Sequence, residues 1–335
     1  MLTDSSGAAR TPDLCVLGAG SLGTALGGVL ALGGLGVVLV SRRAEHVAAI
    51  RRDGLVVADG TGERVARLQA RTDCTGMAPV PLLLVLVKAP DTAAALAGAQ
   101  HVVGPDTLVL TLQNGLGAEQ ILADRFGARR VAAGRTWVGG ELQSPGRVFA
   151  GVTGKRTVIG ELDGPVSPRV RAVADAWTGA GIPTEVSPDI TGVIWDKLLT
   201  NVATGALAAI TGLGYGPLYS VPELEATGQA AVREALAVAA AAGVRVSATD
   251  ALAVWRGAGA GLGADFRASM LQSLDAGRRT EIDFVNGAVC RLGAQLGVPT
   301  PVNDTLVAAV RGRERAVLGD PQTGPAVGSD AASTG

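Results

Sequence analysis

The chain has 335 residues, 47% of them hydrophobic and 18% charged, with a formal net charge of −1. That length and composition allow two domains with large apolar cores, while the charge balance excludes the basic footprint of a nucleic-acid binder or an anionic-lipid binder. Three widely spaced cysteines and two histidines outside any HxxxH or HExxH spacing exclude a disulfide framework and a zinc site of the usual patterns.

Residues 1–12 and 319–335 are rich in Gly, Ser, Ala, Asp and Pro and read as disordered tails. The first of these, MLTDSSGAARTPD, holds no apolar segment of its own, so no signal peptide is expected and a reducing, cytoplasmic setting fits the cysteine usage. Two uncharged stretches, 15–40 and 198–222, exceed the ~20 residues that span a bilayer. Glycine pairs interrupt the first, and Thr200, Asn201, Thr204 and Thr211 stud the second. Both read as buried elements of a protein without a membrane span.

From 13 to 188 short runs of Val and Leu alternate with helical patterns. Strands are expected at 13–17, 36–40, 82–87 and 107–112, and helices near 21–33, 43–52, 91–99 and 117–125. Contiguous apolar strands of this kind suit a parallel sheet buried on both faces, and the βαβ rhythm predicts an α/β fold with a Rossmann-type doubly wound sheet. Stretches at 146–150, 156–160 and 183–186 extend that sheet. From 189 to 318 the pattern turns helical, with helices at 189–210, 223–242, 248–258, 275–296 and 302–318. An all-α domain therefore follows the sheet domain, and a cleft between the two is the natural place for a site. In the helix at 275–296, Ile282, Val285, Val289, Leu292 and Leu296 form one apolar stripe.

Gly18-Ala19-Gly20-Ser21-Leu22-Gly23 is a GxGxxG that follows a strand and opens a helix. The first glycine permits the turn, the second lets backbone N–H groups approach a pyrophosphate, and the third allows close helix–strand packing. An NAD site would put a carboxylate at the end of the second strand. Here that strand runs into Ser41-Arg42-Arg43, a hydroxyl and two cations suited to a 2′-phosphate, so NADP(H) is the expected cofactor. Lys88 and Asn114 follow the strands at 82–87 and 107–112, on the edge where open α/β sheets bind ligands, and are assigned to the nicotinamide or the substrate.

Of 29 basic residues only Lys88, Lys155 and Lys197 are lysine, and Asn114, Asn201, Asn286 and Asn303 are the only asparagines. A chain that uses arginine almost everywhere keeps lysine where a compact ammonium with a movable pKa is needed. Lys197 and Asn201 stand four apart, on one face of an apolar helix. An ammonium there can protonate the alkoxide left when hydride reaches a ketone carbon. By spacing alone, Glu281 fits a solvated face with Arg278 and Arg279.

Five stretches occur in order: LGAGSLG, LVKAPDT, LQNGLGAEQIL, WDKLLTNVATGALAAITG and SMLQSLDAGRRTEIDFVNGAVCRLGAQLGVPTPVN. With them the chain resembles the 2-dehydropantoate 2-reductase (ketopantoate reductase) family over roughly residues 13–316. The resemblance implies NADPH-dependent reduction of a small 2-oxo acid. Lys197 would be the general acid and Asn201 its partner or a substrate ligand, with Ser269 on the substrate carboxylate and Glu281 on substrate or cofactor ribose. Lys88, Asn114 and Gly139 would line the cofactor. Gly205, Ser273 and the turn at Gly214-Tyr215 depart from the family's polar pattern in the substrate region, which suits a bulkier or more apolar oxo compound. A related ketone or imine reductase is the alternative, and a catalytically silent NADP(H)-binding sensor the reading of another class. The oligomeric state is open, a homodimer among the states allowed.

Overall fold

The computed structural model describes residues 12–319, so the expected tails lie, but for Pro12 and Gly319, outside the described residues. The first part of the chain runs β1 (Leu14–Leu17), α1 (Ser21–Leu32), β2 (Val37–Val40), α2 (Ala44–Asp53), β3 (Leu55–Asp59), β4 (Gly62–Ala66), β5 (Gln69–Arg71), β6 (Leu82–Val85), α3 (Thr92–Ala97) and β7 (Leu108–Thr111). It continues with α4 (Ala118–Phe126), β8 (Val131–Thr136), β9 (Gly139–Ser144), β10 (Arg147–Gly151), β11 (Thr157–Glu161), α5 (Pro168–Gly179) and β12 (Thr184–Val186). Seven helices follow: α6 (Ile190–Thr211), α7 (Tyr215–Tyr219), α8 (Pro222–Ala241), α9 (Ala251–Gly259), α10 (Ser269–Asp275), α11 (Asn286–Leu296) and α12 (Pro301–Leu318). Two compact units result. One runs to Leu198 and takes in Ala242–Ser247; the other holds Leu199–Ala241 and the chain from Ala248 onward.

In the first unit an eight-stranded sheet has the order β5-β2-β1-β6-β7-β8-β11-β12. The six strands from β5 to β8 are parallel, which gives the doubly wound order with its reversal between β1 and β6. Alternation along β1 explains the two cores. Leu14 and Val16 pack with α1 and α5, while Cys15 and Leu17 pack with Leu96 of α3 and Leu122 of α4.

A second sheet, β4-β3-β10-β9, lies against α1. The stretch at 146–150 therefore does not extend the main sheet; its strand β10 pairs with β3 and β9 instead. The contact with α1 is tight. A Cβ on Gly28 would lie 2.7 Å from Val57 Cγ2, and one on Gly140 only 2.4 Å from the Ser21 carbonyl oxygen.

His46 of α2 ties these layers together. It is fully buried, its Nδ1 accepts the Gly146 N–H at 3.0 Å, and its Nε2 stands 3.2 Å from Thr24 Oγ1. Because an amide can only donate, the neutral ring carries its proton on Nε2. Burial, then the positive charge of Arg43, holds the imidazole pKa below its ordinary value. The unfolded chain takes up a proton near pH ~6.5 that the folded ring refuses. His46 thus contributes stability that is full above that pH and lost as pH falls. Thermal unfolding should show Tm dropping between pH 7 and pH 5, and dropping less in His46→Asn than in wild type. Equal pH slopes in the two proteins would contradict this account.

The second unit consists of helices joined by loops, with no strand among its described residues. Gly228 of α8 lets the Trp255 ring approach, since a Cβ there would sit 2.4 Å from the ring edge. The Glu234 carboxylate accepts the Val302 and Asn303 N–H groups at the start of α12, and Asn286 Nδ2 donates to Asn303 Oδ1 at 2.9 Å. Two of the four asparagines are thereby structural.

The single helix expected at 275–296 is a correction. Helix α10 ends at Asp275, Gly277 takes a positive φ of 61°, and a 3₁₀ turn at Ile282–Phe284 precedes α11. The stripe read on one helix is divided between that turn and α11, and it ends in an exposed Leu296. The uncharged stretch at 198–222 belongs largely to α6, the only helix among the described residues long and apolar enough to cross a bilayer. Most of its apolar side chains, from Ile190 to Ala209, are buried in protein.

Candidate active site

The three glycines of the β1–α1 turn play separate parts. Gly18 has φ +104°, and a Cβ there would lie 2.4 Å from the Val87 backbone nitrogen, so the turn presses on the chain leaving β6. Gly23 meets the Gly18 carbonyl oxygen at 2.4 Å from its would-be Cβ, which seats α1 on β1. Gly20 faces open space, with nothing within 4 Å. No side chain caps α1 and no acid occupies its first turn, so its N–H groups are available to an anion. Ala19 is buried beneath the turn, Ser21 and Leu22 begin the helix, and Ser21 Oγ accepts the Leu142 N–H at 3.4 Å. The open cradle at Gly20 fits a pyrophosphate.

Parallel pairing places the ends of β1, β2, β6, β7 and β8 on one edge. After β2, Ser41 is buried and its N–H bonds the Arg71 carbonyl, while Arg42 is exposed and ion-pairs with Asp91 at 2.8 Å. A carboxylate therefore does approach this corner, brought by the turn before α3 rather than by β2. At 86% and 47% side-chain exposure that pair is worth at most about 1 kcal/mol and yields readily to a phosphate. Lys88 lies three residues beyond the last residue of β6, half-buried, as the start of a 3₁₀ turn. Half-buried Asn114 follows β7 beside Gly115, whose φ is +84°. Gly139 opens β9 with nothing within 4 Å of its would-be Cβ.

Lys197 reaches the same edge. Its Nζ lies 5.6 Å from the centre of the Trp137 ring, just after β8, and Arg156 covers that ring at 5.4 Å. Burial lowers the Lys197 pKa from the ordinary lysine value, and the positive charges of Arg135 and Lys155 lower it further. Helix α6 is unbroken through this point, so Asn201 stands one turn on from Lys197, also half-buried.

The first unit thus gathers the glycine turn, Ser41, Arg42, Lys88, Asn114, Gly139 and Lys197 along or beside one sheet edge. Asn201, Gly205, Ser269 and Glu281 belong to the second unit. There Glu281 is buried, 7% exposed, in a non-helical turn, so the solvated helix face does not form. Ser269 is exposed at the start of α10, and its carbonyl accepts the Ser273 hydroxyl at 3.0 Å. Gly205 is buried, with Met270 Cε 3.4 Å from where a Cβ would be. Tyr215 is buried too. Its hydroxyl is 3.0 Å from Thr204 Oγ1, and its ring meets Phe266 edge-on at 4.9 Å.

Three residues here escape sequence reasoning. Gln113 is buried and donates from Nε2 to the Val87 carbonyl at 2.7 Å and to Thr92 Oγ1 at 2.8 Å, fastening the Lys88 and Asn114 turns together. Its place within LQNGLG was the available signal. Arg135 and Trp137 lie on and after a strand whose Ala-Ala-Gly run is a poor β signal. A lone arginine behind that run was the clue.

The family model described as ketopantoate reductase PanE/ApbA matches residues 14–164, and its C-terminal counterpart matches 189–314. The 2-dehydropantoate 2-reductase of Halobacterium salinarum is 37% identical over 90% of this chain and 98% of its own. That of Archaeoglobus fulgidus is 34% identical over 91% and 99%. The crystal structure of a PanE/ApbA family ketopantoate reductase from Ralstonia eutropha superimposes with a TM-score of 0.82 at 34% identity, covering 90% of this chain and 98% of that one. A D-mandelate dehydrogenase in ternary complex with NADH and anilino(oxo)acetate gives 0.85 at 26% identity, covering 91% and 99%. With both models matched in order and relatives above 30% identity spanning nine-tenths of it, the chain belongs to the ketopantoate reductase family, reductases of a small 2-oxo acid that use a nicotinamide cofactor.

Proposed function

We propose that the chain reduces 2-dehydropantoate with NADPH, with Lys197 as the proton donor, in a reducing cytoplasmic compartment. The observation that carries this reading is the Lys197 ammonium, half-buried and 5.6 Å from the Trp137 ring on the sheet edge that bears the GxGxxG turn. A bound dihydronicotinamide supplies the hydride. The chain supplies the rest. The α1 N-terminus and Gly20 hold the pyrophosphate, Ser41 and Arg42 the 2′-phosphate, and Lys88, Asn114 and Gly139 the nicotinamide half. Lys197 neutralises and then protonates the oxygen as the ketone carbon becomes tetrahedral. Asn201 orients that oxygen without adding charge, Ser269 donates to the substrate carboxylate, and Glu281 takes a ribose or substrate hydroxyl.

The cofactor assignment has its own test. Arg42→Ala should weaken NADPH binding about tenfold, the worth of one exposed charge-assisted bond to phosphate, and leave NADH binding unchanged. Titrating both cofactors against both proteins decides it, and a wild-type preference for NADH would end the assignment.

A second reading is favoured by how the second unit satisfies its own polar groups. Thr204 and Tyr215 bond each other, Ser273 turns to the Ser269 carbonyl, and Gly205 faces a methionine methyl. Those positions offer a hydroxylated side chain less than polar, unpaired groups there would. The structurally similar D-mandelate dehydrogenase was solved with NADH and anilino(oxo)acetate. Steady-state kcat/KM on 2-dehydropantoate and on a phenyl-substituted 2-oxo acid separates the two readings.

A further inference from the structure

We infer that Arg135 is a positioning residue of this reductase, a buried cation that pins the Asn114 turn and stands as a like charge toward Lys197. The inference rests on the reading of Lys197 as proton donor. Ala133, Arg135 and Trp137 alternate along and just past β8, so they share one face of the strand. On α6, Ile190, Ile194 and Lys197 repeat at helical spacing, and Ala133, Trp137, Ile190 and Ile194 pack in one cluster. Arg135 therefore stands between two residues that contact this helix, opposite the stripe that ends in Lys197.

Its surroundings make the cation conspicuous. Arg135 is 1% exposed, on a strand that otherwise presents Val131, Ala132 and Ala133 to the core. An apolar residue would avoid the desolvation of a guanidinium there. Its Nη1 donates to its neighbour's carbonyl, Gly134, at 2.6 Å, and its Nη2 to the Gly115 carbonyl at 2.5 Å. The second bond crosses from β8 to the turn after β7 and fixes the residue next to Asn114. The charge acts on Lys197. A like charge disfavours the protonated amine and makes it a stronger acid, and Arg135 is the largest charge effect on Lys197, ahead of Lys155.

Other charged groups of this unit near Lys197 in sequence or beside the Trp137 ring have partners of their own. Arg156 shares the Trp137 ring and pairs with Glu185, and Asp196 accepts the Ser247 N–H. Asp189 pairs with Arg245. The cations that lower the Lys197 pKa are Arg135, on β8, and Lys155, in the loop before β11.

The test is the pH profile of kcat in Arg135→Met and Arg135→Lys, with cofactor KM and a melting curve on each. A proton donor works only while protonated, so kcat falls as pH rises through its pKa. Removing a neighbouring cation raises that pKa and moves the limb to higher pH. At the pH where wild type keeps half its plateau rate, Arg135→Met should keep clearly more than half. Arg135→Lys should keep the wild-type limb while raising cofactor KM, because one ammonium does not reproduce the fork to two carbonyls. A folded Arg135→Met with an unmoved limb overturns the inference. If that variant does not fold, Lys155→Glu at an exposed position must shift the limb the same way, and no shift there overturns it equally. Lys197→Ala tells the two readings apart. If it loses activity while the limb stays fixed in the Arg135 and Lys155 variants, only the inference falls; if it stays active, the proton-donor reading falls as well.

Discussion

Replacing Lys197 by alanine should lower kcat by roughly 10²–10⁴, the usual size of an acid–base contribution, while NADPH binding stays within about twofold of wild type. The split follows from where the residue stands. The glycine turn, Ser41 and Arg42 are carried by the β1 and β2 ends of the sheet, and none depends on the α6 ammonium for its conformation. Lys197→Arg should also fail. Guanidinium stays protonated beyond pH 12 and is a poor donor at neutral pH. Single-turnover oxidation of bound NADPH isolates the chemical step. Near-wild-type turnover in Lys197→Arg would reduce the requirement to positive charge alone.

The same residue sets the sign of the pH dependence. Burial acts first on Lys197 and the charges of Arg135 and Lys155 after it, all lowering its pKa from the ordinary lysine value. The alkaline limb of kcat should accordingly fall below the range of an exposed lysine and vanish in Lys197→Ala. The Trp137 ring acts the other way, since a cation over an aromatic face is stabilised.

Much of this was legible in the chain because several local signals agreed. Strand, glycine turn and helix all pointed to a dinucleotide cradle, and Gly18, Gly20 and Gly23 take up the three distinct environments the motif demands. Lys197 was legible from scarcity, an unusual residue on an apolar helix. Contacts that tertiary structure alone creates were not. Strands β4 and β9 are largely exposed and lack a strong apolar run, and the apolar Leu55–Ala58 run of β3 does not reveal its partners, so the small sheet beside α1 went unseen. The break between α10 and α11 was missed because the helix inferred from the apolar repeat starting at Ile282 was extended back across Gly277. Arg135 lay inside a run too poor in β-branched residues to read as a strand. Asp91 shows the same limit at the cofactor corner, because an ion pair 49 residues apart in sequence has no local signature.

The glycine turn yields the other large effect, and it separates folding from binding within one motif. Gly18→Ala should cost at least about 2 kcal/mol of stability, since it combines a strained positive φ with a Cβ 2.4 Å from the Val87 nitrogen. For a chain of this size that is a fall in Tm of about 3 °C. The neighbour that must give way is backbone, not a flexible side chain, and Val87 carries the carbonyl that Gln113 holds. The Lys88 and Asn114 turns would therefore move with it. Gly20→Ala should behave in the opposite way. Its backbone is extended, with φ −81° and ψ −156°, and nothing lies within 4 Å of the new methyl. Stability should stay within about 0.5 kcal/mol of wild type, while NADPH affinity falls about tenfold or more as the methyl takes the place of a phosphate oxygen. Melting curves and cofactor titration on the two variants test both halves. A Gly20→Ala protein that binds NADPH normally would place the pyrophosphate somewhere other than the N-terminus of α1.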